Sequence, residues 1–321
     1  MRGEDGARRL WHTVAVTSSD TVVLSDEVAE AQNRGLPIVA LESTIFSELG
    51  LPAPANAEAL RRCLAAVRNA GAVPAVTAVL DGRARVGVDE ADHRRICGPA
   101  TKTAERDLPV AIATGVEYGA TTVSAAVSLA AQAGVSVFAT GGIGGVHRGV
   151  DITGDISADL LAIGHHPVVT VCAGAKAFLD LPRTLEYLET IGVPVLGWQH
   201  DDFPAFYVRS SGLRVPHRVE TSEQVARIHR MRARSGSGSL LTVPIPLADE
   251  LDPQRLTTAV ESAVADADAA GIIGAAVTPF VLARIAAATD GDSIPVNLAL
   301  AENNARVAAD VAVAIAGLSA D

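Results

Sequence analysis

The 321-residue chain predicts an α/β fold built on a largely parallel, covered sheet. From Pro109 onward, short apolar runs alternate with segments of helical periodicity, the pattern of strands buried on both faces between crossover helices. Apolar residues make up 49% of the chain and charged ones 20%, which supports a sizeable core and argues against disorder. Aromatic residues are only 3%, so that core must be built from Ala, Val, Leu and Ile. One large domain is the default at this length, and the expected organisation is a peripheral lead-in over 1–34 followed by a single domain over 35–318.

The elements follow in order. A helix is expected at 25–33, and 37–41 is an apolar strand that ends on the carboxylate of Glu42. Asn56 is a candidate N-cap for a helix whose Leu60, Cys63, Leu64 and Val67 keep i, i+3, i+4, i+7 spacing, with Gly71 as its stop. Runs at 76–80 and 83–88 flank Asp81-Gly82, a dipeptide that supplies two positive-φ positions for a tight hairpin turn. Next come an apolar run at 110–113, a helix at 121–133, a run at 135–140, a helix at 157–163 and a run at 168–172. Further helices are expected at 181–191, 222–234, 252–270, 279–288 and 297–318, with runs at 193–196 and 240–245. Residues 235–239, Ser-Gly-Ser-Gly-Ser, form a flexible loop, since composition is unchanged on either side.

Composition excludes several classes. A net charge of -11 and a pI near 5.2 disfavour attraction to phosphate backbones, so no polynucleotide partner is expected. Residues 118–146 carry no charge, yet six glycines and the polar Thr121, Thr122, Ser124 and Gln132 suit a buried helix and strand rather than a membrane span. Cys63, Cys97 and Cys172 form no CxxC and are odd in number, pointing to reduced thiols in a cytoplasmic protein. Met1 to Leu10 is charged and lacks the apolar centre of a secretory signal.

Chemistry is best signalled by the lysines. Of 26 basic residues only Lys102 and Lys176 are lysines. Arginine stays protonated in any protein environment, whereas a desolvated lysine can lose its proton and attack a carbonyl carbon. Lys176 lies just past the run at 168–172, after Ala-Gly-Ala, at the strand end where α/β sheets bind ligands. Lys102 reads as a surface lysine or a phosphate contact. Glu42, facing a dry pocket, would hold its proton near neutral pH and act as a general acid, although a cap or an ion pair to arginine explains it equally well.

The segment from Thr140 to His147, Thr-Gly-Gly-Ile-Gly-Gly-Val-His, fails the dinucleotide template, because the third glycine would fall at His147 and no helix opens behind it. It reads as an amide cradle for an anion beside His147 and Arg148, or as glycines needed for a tight turn. Asp151, Asp155 and Asp159 are hard oxygen donors four residues apart, suited to Mg²⁺ or Mn²⁺ with several waters, and Gly154 limits the ligands to one or two of them.

Taken together, eleven blocks resemble the pseudouridine-5'-phosphate glycosidases, also called the indigoidine synthase A-like family, over residues 35–315. They are 41–45, 79–82, 106–109, 119–123, 140–149, 155–160, 171–176, 197–199, 203–206, 278–280 and 302–305. The resemblance implies a three-layer α/β/α sandwich with a largely parallel or mixed central sheet, assembled as a homotrimer. It implies reversible cleavage of the C–C glycosidic bond of pseudouridine 5'-phosphate to uracil and ribose 5-phosphate, with one divalent ion, usually Mn²⁺ and alternatively Mg²⁺. Carried over, Lys176 is the Schiff-base lysine, Glu42 the proton donor, and Asp155 the metal ligand. Lys102, Val123, Ser157, Ala158 and Asp159 are substrate contacts, and Thr140, His147 and Asn297 line the same site. The chain departs from the family pattern at Ser47-Glu-Leu-Gly50, Val243 and Ala275, positions that bear on loop geometry and substrate preference. The two other classes weighed are a class I aldolase-like lyase on another sugar phosphate and a non-catalytic sugar-phosphate binding module.

Overall fold

The computed structural model describes residues 22–318. In chain order these form β1 (Val22–Leu24), α1 (Asp26–Asn33), β2 (Ile38–Leu41), α2 (Ala55–Asn69), β3 (Val73–Leu80), β4 (Arg83–Val86), α3 (His93–Ile96), β5 (Thr101–Thr103), α4 (Leu108–Ala113), β6 (Tyr118–Thr121), α5 (Val123–Gln132) and β7 (Val137–Ala139). There follow α6 (Val150–Thr153), α7 (Ala158–His165), β8 (Val169–Cys172), α8 (Leu181–Thr190), β9 (Val195–Trp198), β10 (His217–Val219), α9 (Ser222–Ala233), β11 (Ser239–Thr242), α10 (Pro253–Ala269), α11 (Val277–Ala288) and α12 (Ser293–Leu318).

The first four residues of β3 start a parallel sheet in the order β3-β2-β7-β8-β11-β9-β10. Beyond Leu41 the last residues of β3 exchange β2 for antiparallel neighbours, β4 on one side and β6 on the other, which add β1 and β5. The eight-residue β3 thus welds a parallel sheet to a mixed one. Every residue of β2, β8 and β11 is buried, as expected of strands covered on both faces, and β2 is apolar throughout. Helices cover both faces, α12 packing with α2 and α9 over β2, β7 and β8, and α5 packing with α7. The expected α/β/α sandwich with a mixed, largely parallel sheet is the fold observed.

Local differences from the sequence reading have physical causes. The run at 110–113 is the end of α4 rather than a strand. Four apolar residues carry no readable period, whereas the Asp107 carboxylate accepting from Ala104 N–H at 3.0 Å and Pro109 in the first turn favour helix here. Four strands are not expected from the sequence: β1, β5 and β10 are only three residues long, and β6 runs almost directly into α5, so that its Thr121 falls within the helix expected at 121–133. Asn56 is not a cap; it sits inside the first turn of α2, and its Nδ2 donates to Cys97 O at 2.7 Å. Of the lead-in expected at 1–34, the described part forms β1, paired in parallel with β4, and α1, whose Val28 and Ala31 are buried in the core. Residues 1–21 lie outside the described ones. The cysteines of the described chain are free, and burial pushes the thiols of Cys63 and Cys172 up to about 12. No described helix is long and apolar enough to cross a membrane.

The β3–β4 turn has the predicted form, with Asp81 at φ 50° and Gly82 at φ 68°. A Cβ on Gly82 would lie 2.9 Å from both Gly115 Cα and Ile112 O, whereas one on Gly71, at φ 86°, would meet nothing within 4 Å. Gly71→Ala should therefore cost about 1 kcal/mol for left-handed backbone alone, and Gly82→Ala about 2 kcal/mol more because backbone must move. Urea unfolding of the two variants beside the wild type measures this order, and equal losses would contradict it.

Candidate active site

Because β2, β7 and β8 are parallel neighbours, the residues that follow them leave the sheet at one edge: Glu42 after β2, Thr140 after β7 and Lys176 after β8. Glu42 is 8% exposed and accepts a hydrogen bond from Thr140 Oγ1. Burial pushes its carboxyl up to about 7, against the downward pull of Lys176, the Thr140 hydroxyl and Lys102; Asp159 adds to the rise. Lys176, two residues beyond a left-handed Gly174, donates from Nζ to Gly142 O at 3.1 Å. Lys102 reaches the same region from β5, where burial first and Lys176 second hold its amine below the usual lysine range.

The segment after Glu42 is locked to the end of β6. Ser43 N–H donates to Thr121 Oγ1 at 3.2 Å, Thr121 N–H donates to Ser43 Oγ at 3.0 Å, and Thr44 Oγ1 donates to Thr121 O at 2.6 Å. Thr77 Oγ1 lies 2.8 Å from Thr121 Oγ1, extending the hydroxyl network into β3. All of Ser43, Thr77 and Thr121 are fully buried. The sequence reading gave these three no role, since nothing in a sequence tells a threonine that joins strands from one that faces solvent.

The remaining candidates surround this pair. Ser157 caps α7, its Oγ accepting from Asp159 N–H at 3.3 Å, with Ala158 as the first helical residue. Asp159 uses one oxygen to accept from Ser124 N–H in the first turn of α5 and the other to accept from Gly144 N–H, both at 2.9 Å. It therefore ties the start of α5, where Val123 is buried, to the glycine-rich turn. Asn297, 5% exposed on α12, has a buried Oδ1 without a hydrogen-bond partner, 3.5 Å from where a Gly141 Cβ would stand.

Four amides of the glycine-rich turn are engaged within the fold rather than open to an anion. Ile143, Gly144, Val146 and His147 N–H groups donate to Gly174 O, Asp159 Oδ2, Thr184 Oγ1 and Asp155 O. Its glycines serve close approach instead: added Cβ atoms on 142, 144 and 145 would fall within 2.2–2.5 Å of Phe206, Ser157 and Thr184. Phe206, which covers Gly142 and adopts φ 62°, packs on the turn in a way that its motif does not disclose.

Among the described residues no group of three or more His, Cys, Asp or Glu could cage a metal. The three aspartates nonetheless separate. Asp159 is engaged by two backbone amides, and Asp151 is exposed beside Arg183 at 3.4 Å. Asp155 keeps a half-exposed carboxylate 3.8 Å from His147 Nδ1. His147 is pushed below its ordinary value by burial, against the opposite pull of Asp155. One hard carboxylate with room for water fits a hydrated divalent ion of the Mg²⁺ or Mn²⁺ type.

The buried Glu42 carries a pH signature. The folded chain keeps this proton up to about pH 7, while the unfolded chain releases it near 4.5, so the folded state binds more protons between those values. Stability relative to Glu42→Gln should then fall as pH rises through that window, by an amount of order 3 kcal/mol at full ionisation. Denaturant unfolding of both proteins at pH 4.5 and pH 8 reads the difference, and parallel stability curves would refute the buried acid.

Known proteins resemble this chain over most of its length. The profile of the family described as indigoidine synthase A like protein matches residues 27–314. A protein of Methylobacterium nodulans named pseudouridine-5'-phosphate glycosidase is 51% identical over 91% of this chain and 87% of its own. One of the same name from Herpetosiphon aurantiacus is 50% identical over 92% and 98%. Among solved structures, the prealnumycin C-glycosynthase in complex with ribulose 5-phosphate superposes with a TM-score of 0.85 at 36% identity, covering 94% of this chain and 98% of that one. An indigoidine synthase A-like protein of Thermotoga maritima gives a TM-score of 0.81 at 33% identity over 92% and 97%. The chain belongs to the indigoidine synthase A-like family.

Proposed function

We propose that the protein cleaves, reversibly, the C–C glycosidic bond of pseudouridine 5'-phosphate, giving uracil and ribose 5-phosphate through a Schiff base on Lys176. The observation that carries this reading is the buried carboxyl of Glu42, titrating near pH 7, at the strand edge from which Lys176 also projects. Names of relatives near 50% identity support the substrate, and the ribulose 5-phosphate bound to the structural neighbour supports a sugar phosphate as the class of ligand.

A base bonded through carbon cannot leave as a nitrogen or oxygen leaving group does, so the sugar must supply an electron sink. Glu42 gives its proton to the ring oxygen as the C1'–O4' bond breaks, and the uncharged amine of Lys176 bonds to C1'. The proton released from nitrogen returns to Glu42 and passes to C5 of the base. The nitrogen lone pair then forms the C1'=N bond as the C1'–C5 bond breaks, its electrons restoring the double bond of uracil. Water adds to the iminium, freeing ribose 5-phosphate and the amine. A carboxyl titrating near neutrality suits both proton movements.

Lys102 supplies a second cation for phosphate or sugar. Ser157, Ala158, Val123, His147 and Asn297 shape the cavity, while Asp159 and Thr140 hold its walls and its acid in place. Asp155 would hold the divalent ion, which supplies charge neutralisation near the phosphate. We place residues 35–318 in one catalytic unit, acting in the cytoplasm, with a homotrimer as the assembled form.

Mixing uracil, ribose 5-phosphate and Mn²⁺ with the purified protein should change the uracil absorbance as pseudouridine 5'-phosphate forms. Lys176→Ala should lose roughly 10³-fold or more in rate, and Glu42→Gln roughly 10²- to 10⁴-fold. Borohydride added during turnover should leave a sugar adduct on Lys176. Turnover of another sugar phosphate without uracil would favour the aldolase-like class, and ligand binding without any turnover would favour the binding module. An active enzyme whose Lys176 peptide stays unmodified would exclude the covalent step.

A further inference from the structure

Asn304 lies midway along α12, 1% exposed, and its Nδ2 donates to two carbonyls far away in sequence, Thr140 O at 2.8 Å and Gly141 O at 3.1 Å. Its Oδ1 is buried without a hydrogen-bond partner. The orientation of the amide is nevertheless fixed, because turning it over would press a carbonyl oxygen against two others. A buried acceptor left unpaired is unfavourable, so the side chain is held here for what its nitrogen does.

What the nitrogen holds is the turn that leaves β7. Asn297, Leu300 and Asn304 are spaced i, i+3, i+7 and share one face of α12. A Cβ on Gly141 would stand 3.2 Å from Leu300 and 3.5 Å from Asn297, so the helix face lies directly against this turn. Thr140, whose carbonyl Asn304 grips, is also the residue whose hydroxyl donates to Glu42 Oε1. Backbone position at 140 sets where that hydroxyl can reach.

We propose that Asn304 is a positioning residue for the reaction: by clamping the carbonyls of Thr140 and Gly141 it keeps the Thr140 hydroxyl on the Glu42 carboxyl and the carboxyl aimed at the sugar. The inference rests on the reading of Glu42 as proton donor. The charged groups that act on Glu42 are Lys176 from the loop after β8, Asp159 from α7 and Lys102 from β5. A change at Asn304 reaches the acid through the 140–141 turn.

The test is a double-substitution cycle of Asn304→Ala and Thr140→Val, read in the pH dependence of kcat. Donation from Thr140 favours the ionised carboxyl, so its loss should raise the pH at which activity falls on the alkaline side. Asn304→Ala should move that limb up as Thr140→Val does and lower kcat about tenfold, with KM changed less than about twofold. Added to Thr140→Val, it should produce little further change, since the two act through one hydrogen bond. Should the alanine variant fail to fold, Asn304→Ser, which keeps one donor, should show the same shift at smaller size. An unmoved limb in a folded variant, or effects that simply add, would overturn the proposal. Failure of the function itself reads differently, as absent wild-type turnover or a Glu42→Gln variant as active as wild type.

Discussion

A carboxyl group removed from water must be held by something else, and the structure around Glu42 is arranged around that constraint. Burial favours the protonated form, while Lys176, the Thr140 hydroxyl and Lys102 favour the ionised one, and the opposition leaves the group titrating near 7. Neither side alone would serve. Desolvation without the amines would leave an acid that never releases its proton, and amines without desolvation would leave an ordinary carboxylate. The balance depends on position, and position is fixed from two sides: the Ser43, Thr44, Thr77 and Thr121 network behind, and the β7 turn with Thr140 in front.

Parallel strands explain how such distant residues meet. Glu42, Thr140 and Lys176 are far apart in sequence, but each follows a strand that runs in the same direction beside its neighbour. Asp159 extends the principle to the helical layer. Its two oxygens satisfy an amide at the start of α5 and one in the glycine-rich turn, so a single carboxylate joins α7 to both. An added Cβ on Gly144 would stand 2.2 Å from Ser157 Oγ, and the turn could not come close enough for this bond.

These contacts mark the boundary of what the sequence discloses. Strand–helix alternation, the Asp81-Gly82 hairpin and the helical tail were legible, because each depends on neighbours in the chain. Other elements were not: β6 passes into α5 almost without a break, and the run at 110–113 is too short to show a period. Glycines at 141–145 were ambiguous for a different reason. A phosphate cradle and a tight packing contact both require the missing side chain, and only the partners of the amides decide between them. Asn304 was visible in its Glu-Asn-Asn-Ala block, but its two acceptors lie 163 and 164 positions away. What Asp159 holds was equally hidden, because the two amides that its oxygens accept from lie 35 and 15 positions away.

The lysine count acquires a physical meaning from this geometry. On the outside, positive charge is used in forks: Arg68 meets Glu27, Arg95 meets Asp81, and Arg218 and Arg255 each bridge two acids. Arginine's planar, permanently charged head suits those pairs. At the site the requirement reverses. Two guanidinium groups beside Glu42 would be permanent charges with no nucleophilic nitrogen to offer. An amine is more readily neutralised, and burial and the field of Lys176 hold Lys102 below the usual lysine range. Lysine is therefore found where a guanidinium could not serve, and the two that this chain keeps both act on the same buried carboxyl.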